Sequence, residues 1–133
     1  MTVVTTSRKP LPELRSLARD LAFSTGSQYL SRGKQAMEEI LSLDETVVIV
    51  SIQAKTLFLQ VFHDGAPVVG VAMQGFSVER REDALQRGLR ISDRTICEAL
   101  GEFLDVRCIS DEVGRVILYD GAQRKRYRVE LAP

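Results

Sequence analysis

The chain has 133 residues and is 44% hydrophobic, so it is long and apolar enough for one domain whose core needs no disulfide or structural metal. Its 18 basic and 18 acidic residues cancel, so the net charge alone indicates neither a nucleic-acid nor a membrane partner. The N-terminus lacks the apolar stretch of a signal peptide, and no apolar run approaches the ~20 residues of a membrane-spanning helix. We therefore expect a cytoplasmic protein that does not contact membranes.

The first part of the chain predicts an alternation of strands and helices. Residues 3–6 are β-branched, which favours a strand, and the apolar residues from Leu14 to Ala22 recur with helical spacing. Gly26 is typical of a helix C-cap, residues 27–30 predict a brief strand, and a second helix turns Met37 and Ile40 inward. Three strands with a hairpin turn at residues 63–65 are then predicted, at residues 46–52, 56–62 and 68–73.

The second part repeats this order after a polar segment. Residues 77–87 predict an exposed loop or a short surface helix, which we expect to be the most mobile segment. A strand at residues 89–91 precedes a helix that Ser92 or Asp93 caps. The remaining strands are predicted at residues 106–109, 115–119 and 125–131.

The repeated order predicts the fold class. We expect one α/β domain, residues 1–133, built from two similar halves, 1–76 and 88–133, which the loop at residues 77–87 joins. Each half would contribute a strand, a helix and further strands to a mixed sheet with helices packed on it.

Few residues could carry catalysis. Gly33-Lys34 resembles the end of a phosphate-binding loop, but six residues separate Gly26 from Gly33 where that motif has four, and Gln35 replaces its Ser or Thr. His63 is the only histidine, and we expect it to be an exposed neighbour of a turn and not a general base. We predict no catalytic residue, no cofactor and no small-molecule substrate.

The two cysteines predict neither a disulfide framework nor a zinc site. With a single histidine in the chain, Cys97 and Cys108 cannot complete the four ligands that structural zinc requires. We expect two reduced thiols, Cys97 on the apolar stripe of its helix and Cys108 within a strand. We predict no metal site.

Basic residues near the N-terminus are the first candidates for binding phosphates. Residues 1–34 carry six basic and two acidic side chains, whereas residues 35–65 carry one basic and five acidic ones. If the first two helices pack near the end of the first strand, the six would form one cationic surface, and the arginine fork suits phosphate oxygens. The alternative is a set of solvated charges, some of them paired with acidic neighbours. The six residues are Arg8, Lys9, Arg15, Arg19, Arg32 and Lys34.

The last predicted strand carries a second basic set. Alternation places Arg124, Arg126 and Arg128 on one face, which should be exposed. The alternative interpretation is an edge strand that its charges protect from aggregation. Because Trp is absent and most aromatic residues occupy core-like positions, we expect contacts to an RNA backbone more than stacking on bases.

The opening of the chain resembles the archaeal Brix-domain proteins. The resemblance covers about the first 43 residues and lies in Thr5-Thr6-Ser7-Arg8-Lys9-Pro10, Arg15-Ser16-Leu17, Leu21 and Tyr29-Leu30-Ser31-Arg32-Gly33-Lys34. It implies a non-catalytic ribosome-biogenesis protein that binds ribosomal or precursor RNA. It also implies two α/β halves akin to the anticodon-binding domain of some aminoacyl-tRNA synthetases. The family motif falls on Ser7, Arg8, Pro10, Arg15, Arg32 and Gly33.

Two further functions remain open from the sequence. The chain could be an interaction scaffold that holds another ribosome assembly protein through a sheet edge or residues 77–87, with no RNA contact. It could also be an enzyme built around His63.

Overall fold

The secondary structure is given for residues 2–133, which the structure, a computed structural model, describes. The elements are β1 (Thr2–Thr6), α1 (Pro12–Thr25), β2 (Gln28–Tyr29), α2 (Met37–Leu41), β3 (Thr46–Gln53), β4 (Thr56–His63), β5 (Ala66–Arg80), β6 (Leu89–Ile91), α3 (Arg94–Gly101), β7 (Val106–Cys108), β8 (Val116–Asp120) and β9 (Lys125–Leu131). The strands of this range form one mixed sheet in the order β2-β1-β3-β4-β5-β9-β8-β6-β7. Within the same residues, no helix is long and apolar enough to cross a membrane.

A β-α-β unit occupies each end of the sheet. β1 and β2 are parallel and α1 connects them, while β6 and β7 are parallel and α3 connects them. α1 has Pro12 in its first turn and ends where Gly26 adopts a left-handed conformation, with φ of 69°. α3 follows Asp93, whose carboxylate accepts a hydrogen bond from the Ile96 amide at 3.0 Å. Both helices contribute to one apolar core, so they lie on the same face of the sheet, here called the inner face.

The two ends of the sheet differ in how the chain continues. After β2 the chain forms α2, and β3 returns parallel to β1; after β7 the chain reaches β8, antiparallel to β6, through residues 109–115 without a helix. α2 covers the opposite, outer face, where Ile40 joins Ile49 and Phe62 in a small second core. No helix of residues 2–133 covers the outer face over β8 and β9, where charged side chains lie instead.

The long strand β5 connects the two halves of the sheet. It pairs with β4 as far as Met73 and with β9 from Met73 onward, and the register is irregular between Met73 and Gly75. Residues 77–80, predicted as part of a loop, are therefore strand, because pairing with β9 overrides their polar composition. The interpretation of the last strand as an edge is also wrong, since β9 lies between β5 and β8.

The predicted fold class is confirmed, since the chain forms an α/β domain with a mixed sheet and helices packed on it. The prediction of two free thiols is wrong, because Cys97 and Cys108 form a disulfide between α3 and β7. Cys97 is buried on the apolar side of α3, as predicted. The chain turns back from α3 into β7, and this return brings Cys108 beside it.

Candidate nucleic-acid interface

The basic residues after β1 and β2 form a braced loop region. Arg8 donates from Nη2 to the Lys34 carbonyl at 3.1 Å, and both side chains are exposed, as is Lys9. Arg32 is only 7% exposed and donates from Nη1 to the Thr6 carbonyl at 3.0 Å. Burial, together with the nearby Arg8, lowers the pKa of Arg32 from its ordinary value. Of the six predicted N-terminal cations, Arg32 is therefore held inside the fold as a brace between β1 and the following loop.

Two arginines of α1 face solvent. Arg15 and Arg19 are exposed and four residues apart, so they lie one turn from each other along the helix. The Arg19 guanidinium lies 5.6 Å from the centre of the Tyr29 ring, a cation–π contact that leaves its N–H groups free. Among residues 2–133, no carboxylate forms an ion pair with either arginine.

A buried polar contact fixes the turn between β8 and β9 against α1. The Asp20 carboxylate, 4% exposed, accepts a hydrogen bond from the Ala122 amide at 3.1 Å and a short one from the Tyr127 hydroxyl. Burial, followed by the hydrogen bond to Asp20, raises the pKa of Tyr127, so the phenol remains the donor. A side chain at Gly121 would collide with Asp20, so only glycine permits this approach.

This contact brings cations of α1 and β9 together. Arg19 and Lys125 line one small cleft, together with Ser16 and Gln123. Lys125 also lies directly opposite Arg80 in the β5–β9 pair, and the exposed Arg124 precedes it in the turn. Like charges directly opposite each other in a sheet are destabilising, so the fold tolerates a local excess of positive charge here. We call the following residues the α1–turn surface: Arg15, Arg19, Arg80, Arg124 and Lys125.

Carboxylates offset very little of this charge. In the described part of the chain, the α1–turn surface has one ion pair, between Arg80 and Glu82, at 3.7 Å, and both side chains are more than 70% exposed. Such exposed pairs contribute little and leave the guanidinium available to solvent. Asp20, the carboxylate beneath the cleft, already accepts hydrogen bonds on both of its oxygens.

The arginines of the outer face have different partners. Asp120 is fully buried and binds Arg126 Nε at 2.8 Å and Arg90 Nη2 at 2.9 Å. Arg126 also pairs with Asp83 at 2.9 Å, and Arg128 pairs with Glu112 at 2.9 Å. The predicted exposed row of the last strand is therefore wrong in two respects. Arg124 lies in the turn, and Arg126 and Arg128 are partly buried and neutralised.

The pKa values reflect this pairing. Burial alone would raise the pKa of Asp120, but hydrogen bonds from Arg126 and from the Gln86 amide, with the charges of both arginines, lower it below its ordinary value. The hydrogen bond to Asp120 in turn raises the pKa of Arg126. Both groups therefore stay ionised, and the cluster is held as a compensated structural unit.

His63 directly precedes the turn at Asp64–Gly65, as predicted, but its side chain is only partly exposed. Its Nδ1 lies 3.1 Å from Thr46 Oγ1, and its ring packs against Phe103 with centres 5.4 Å apart. The side chain is 35% exposed. These contacts give His63 a fixed orientation at the end of β4.

Sequence reasoning missed two members of the α1–turn surface. Lys125 lies on the face of β9 opposite the predicted basic row, beside Tyr127 and Val129, but it extends beyond the inner core. Arg80 lies within the segment at residues 77–87 that is predicted as a loop or short helix. Arg80 lies opposite Lys125 only because β5 pairs with β9. The two residues are 45 positions apart in the chain, and no local pattern predicts such a pairing.

Comparison with known proteins identifies structural neighbours only. No family model matches the sequence, and no curated protein does. The crystal structure of Mil (Mth680), an archaeal Imp4-like protein, matches with a TM-score of 0.67 and 19% identity over 98% of this chain and 97% of that one. That of a probable ribosomal biogenesis protein from Aeropyrum pernix K1 matches with a TM-score of 0.61 and 16% identity over 97% and 94%. At these identities the likeness establishes a shared fold.

Proposed function

We propose that this chain is a non-catalytic ribosome-biogenesis factor that binds ribosomal or precursor ribosomal RNA through the α1–turn surface. The observation that carries the proposal is the convergence of exposed cations from α1, β5 and the β8–β9 turn, with little carboxylate compensation. The structural neighbour named as a probable ribosomal biogenesis protein supports it, as does the resemblance of the first 43 residues to archaeal Brix-domain proteins.

The chemistry of the surface favours contact with phosphates. Guanidinium and ammonium groups bind phosphate oxygens and release condensed counterions, which supplies most of a sequence-independent affinity. Arg15 and Arg19 lie about 6 Å apart along the helix axis, at 1.5 Å per residue, so they can engage neighbouring phosphates. Arg8, Lys9 and Lys34, which are exposed near the start of α1, would extend the contact.

Contacts to the backbone are favoured over contacts to bases. Tyr119 and Tyr127 stack on each other inside the core, and Tyr29 lies beneath Arg19, so none of the three offers a free ring face. Without exposed stacking platforms, the surface recognises the shape and charge of the RNA.

Crosslinking in cells tests the proposal. The tagged chain is crosslinked by ultraviolet light, purified under denaturing conditions, and the attached RNA is sequenced. Ribosomal or precursor RNA should be enriched over messenger RNA, and the enrichment should disappear in the Arg15→Glu/Arg19→Glu variant. Equal recovery of ribosomal RNA from both proteins, or no enrichment over messenger RNA, would contradict the proposal. Arg32 is unsuitable for such a test, because reversing its charge would remove its hydrogen bond to the Thr6 carbonyl and disrupt the fold.

One observation favours a second candidate function, a scaffold for another assembly protein. In the part of the chain that the structure describes, the outer face over β8 and β9 has no covering helix, and adjoining clefts there share Arg128 as a lining residue. A partner protein could occupy the position that α2 holds at the other end of the sheet. Copurification of an assembly protein that persists in Arg15→Glu/Arg19→Glu, without any RNA, would favour this function.

A further inference from the structure

We propose that Glu45, His63 and Asp64 form a binding site for a divalent transition-metal ion, with Zn²⁺ preferred. The site lies where β4 ends and the chain turns toward β5, and it is independent of the RNA-binding proposal. One ligand atom from each residue lies within 4.8 Å of the other two.

The distances are those of metal ligands and not those of hydrogen bonds. His63 Nε2 lies 3.4 Å from Glu45 Oε1 and 3.6 Å from Asp64 Oδ2. A hydrogen bond between such groups would be about 2.7 to 3.2 Å long. Ligands of tetrahedral zinc, with bonds of about 2.1 Å, are about 3.4 Å apart. The two distances from Nε2 therefore match a shared ion, and the two carboxylate oxygens lie within 4.8 Å of each other.

Groups outside the cluster orient the histidine for this role. Thr46 Oγ1, at 3.1 Å, occupies the Nδ1 side of the ring, and Thr46 is the direct cross-strand partner of His63. Phe103, which follows the end of α3, packs against the ring. A histidine that binds a metal through one nitrogen characteristically donates its other N–H to an oxygen, which fixes the ring. Nε2 is thus directed at the two carboxylates.

The backbone holds the second ligand segment in place. The Asp64 amide donates to the Glu45 carbonyl at 2.8 Å, so the residues that precede β3 and follow β4 are tied together. The backbones that carry the two carboxylates are consequently held next to each other.

The charge of the cluster calls for a cation. Within residues 2–133, neither Glu45 nor Asp64 forms an ion pair with a lysine or an arginine, so the two carboxylates share a single imidazole as their basic neighbour. One nitrogen and two carboxylate oxygens suit zinc, whereas magnesium prefers oxygen ligands alone. Because the carboxylates are 67% and 72% exposed, water competes for the ion and completes its coordination.

Nuclear magnetic resonance of the single histidine tests the site. The tag-free protein with its disulfide intact is titrated with ZnCl₂ while the two carbon-bound protons of the His63 ring are followed. The ring signals should shift to saturation with one ion per chain. Glu45→Gln/Asp64→Asn should raise the dissociation constant at least about tenfold. Glu38→Gln/Glu39→Gln, which removes two exposed carboxylates of α2, should leave it unchanged.

Calorimetry with His63→Gln completes the test and does not depend on the histidine signals. This variant should lose the single Zn²⁺ isotherm of the natural chain while its circular dichroism spectrum is retained. The proposal is overturned if the ring signals never saturate, if Glu45→Gln/Asp64→Asn binds with unchanged affinity, or if the α2 control weakens binding equally.

Discussion

The arginines of α1 and those of the outer face belong to the same residue type but have opposite environments. Arg15 and Arg19 are exposed, and no carboxylate among the described residues pairs with them. Arg90 and Arg126 converge instead on the fully buried Asp120 at less than 3 Å. A guanidinium that already pairs with a carboxylate adds little binding free energy when it contacts a phosphate. An unpaired guanidinium contributes its full interaction with the phosphate.

A binding surface therefore differs from a structural network in whether carboxylates pair with its arginines. The number of basic residues does not distinguish the two. In the sequence, Arg126 with Arg128 and Arg15 with Arg19 look alike, as spaced arginines on one side of an element. Substitutions in the outer-face network should therefore lower the free energy of unfolding, and substitutions in the α1–turn surface should lower the affinity for RNA.

The largest expected effect follows from removing the buried carboxylate of the outer face. Asp120→Ala leaves Arg90 and Arg126 without their shared partner, and breaking a buried pair on one side costs about 3 to 5 kcal/mol. Urea denaturation should show this loss in the free energy of unfolding. RNA affinity, measured where the variant is still folded, should stay within about twofold of the natural chain, since the α1–turn surface is intact. An unchanged unfolding midpoint would contradict the assignment of Asp120 as a structural anchor.

Charge reversal on α1 should give the second largest effect. Each phosphate contact is worth just under one decade of affinity at ~0.1 M salt, so Arg15→Glu/Arg19→Glu should weaken binding to fragmented ribosomal RNA by about 100-fold. Fluorescence anisotropy measures the affinity, and thermal denaturation should show little change because both side chains are exposed. The matched control is Arg94→Glu/Arg107→Glu, which changes the net charge equally in the other β-α-β unit. If the control loses as much affinity, only the net charge matters.

Removing one hydroxyl between α1 and the β8–β9 turn should have a smaller effect. Tyr127→Phe leaves Asp20 without one of its buried hydrogen bonds, which should lower the free energy of unfolding by about 1 to 2 kcal/mol. RNA affinity should fall only a few-fold, because the cations remain but the turn is held less firmly. An affinity loss as large as that of the α1 charge reversal would mean that Tyr127 itself contacts RNA.

The smallest effect concerns the cap of α3 and depends on pH. A hydrogen bond from the Ile96 amide, followed by the one from Arg115, lowers the pKa of Asp93. Its contribution is therefore present above the unfolded-state pKa and is lost as pH falls through the lower folded-state value. Asp93→Ala should cost about 1 kcal/mol at neutral pH. This difference from the natural chain should shrink progressively below pH ~4 in denaturation experiments, and a difference that stays constant would contradict the charged cap.

The sequence predicted those parts of the fold that depend on local pattern. The apolar stripe of Leu14, Leu17 and Leu21 predicts α1, and the alternation predicted for the last strand agrees with the burial of Tyr127 and Val129 opposite its arginines. The exposed positions of Arg15 and Arg19 followed from the same helical spacing. For these residues, local periodicity and tertiary burial agree.

The remaining features depend on pairing between distant residues. The opposition of Arg80 to Lys125, the burial of Asp120 beneath Arg90 and the Cys97–Cys108 disulfide all require the strand order, which no local signal specifies. Arg32 is predicted as part of the N-terminal cationic surface, but the carbonyls of Thr6 and Gln35 accept hydrogen bonds from its N–H groups inside the fold.

The salt dependence of RNA binding tests most directly whether the α1–turn surface contacts phosphates. The logarithm of the association constant for fragmented ribosomal RNA is measured against the logarithm of salt concentration for the natural chain, Arg15→Gln/Arg19→Gln and Arg94→Gln/Arg107→Gln. Two lost phosphate contacts should reduce the magnitude of the slope by about 1.4 to 1.8 in the α1 variant, while the control keeps the natural slope. An affinity independent of salt, or equal slopes for all three proteins, would contradict the proposed interface.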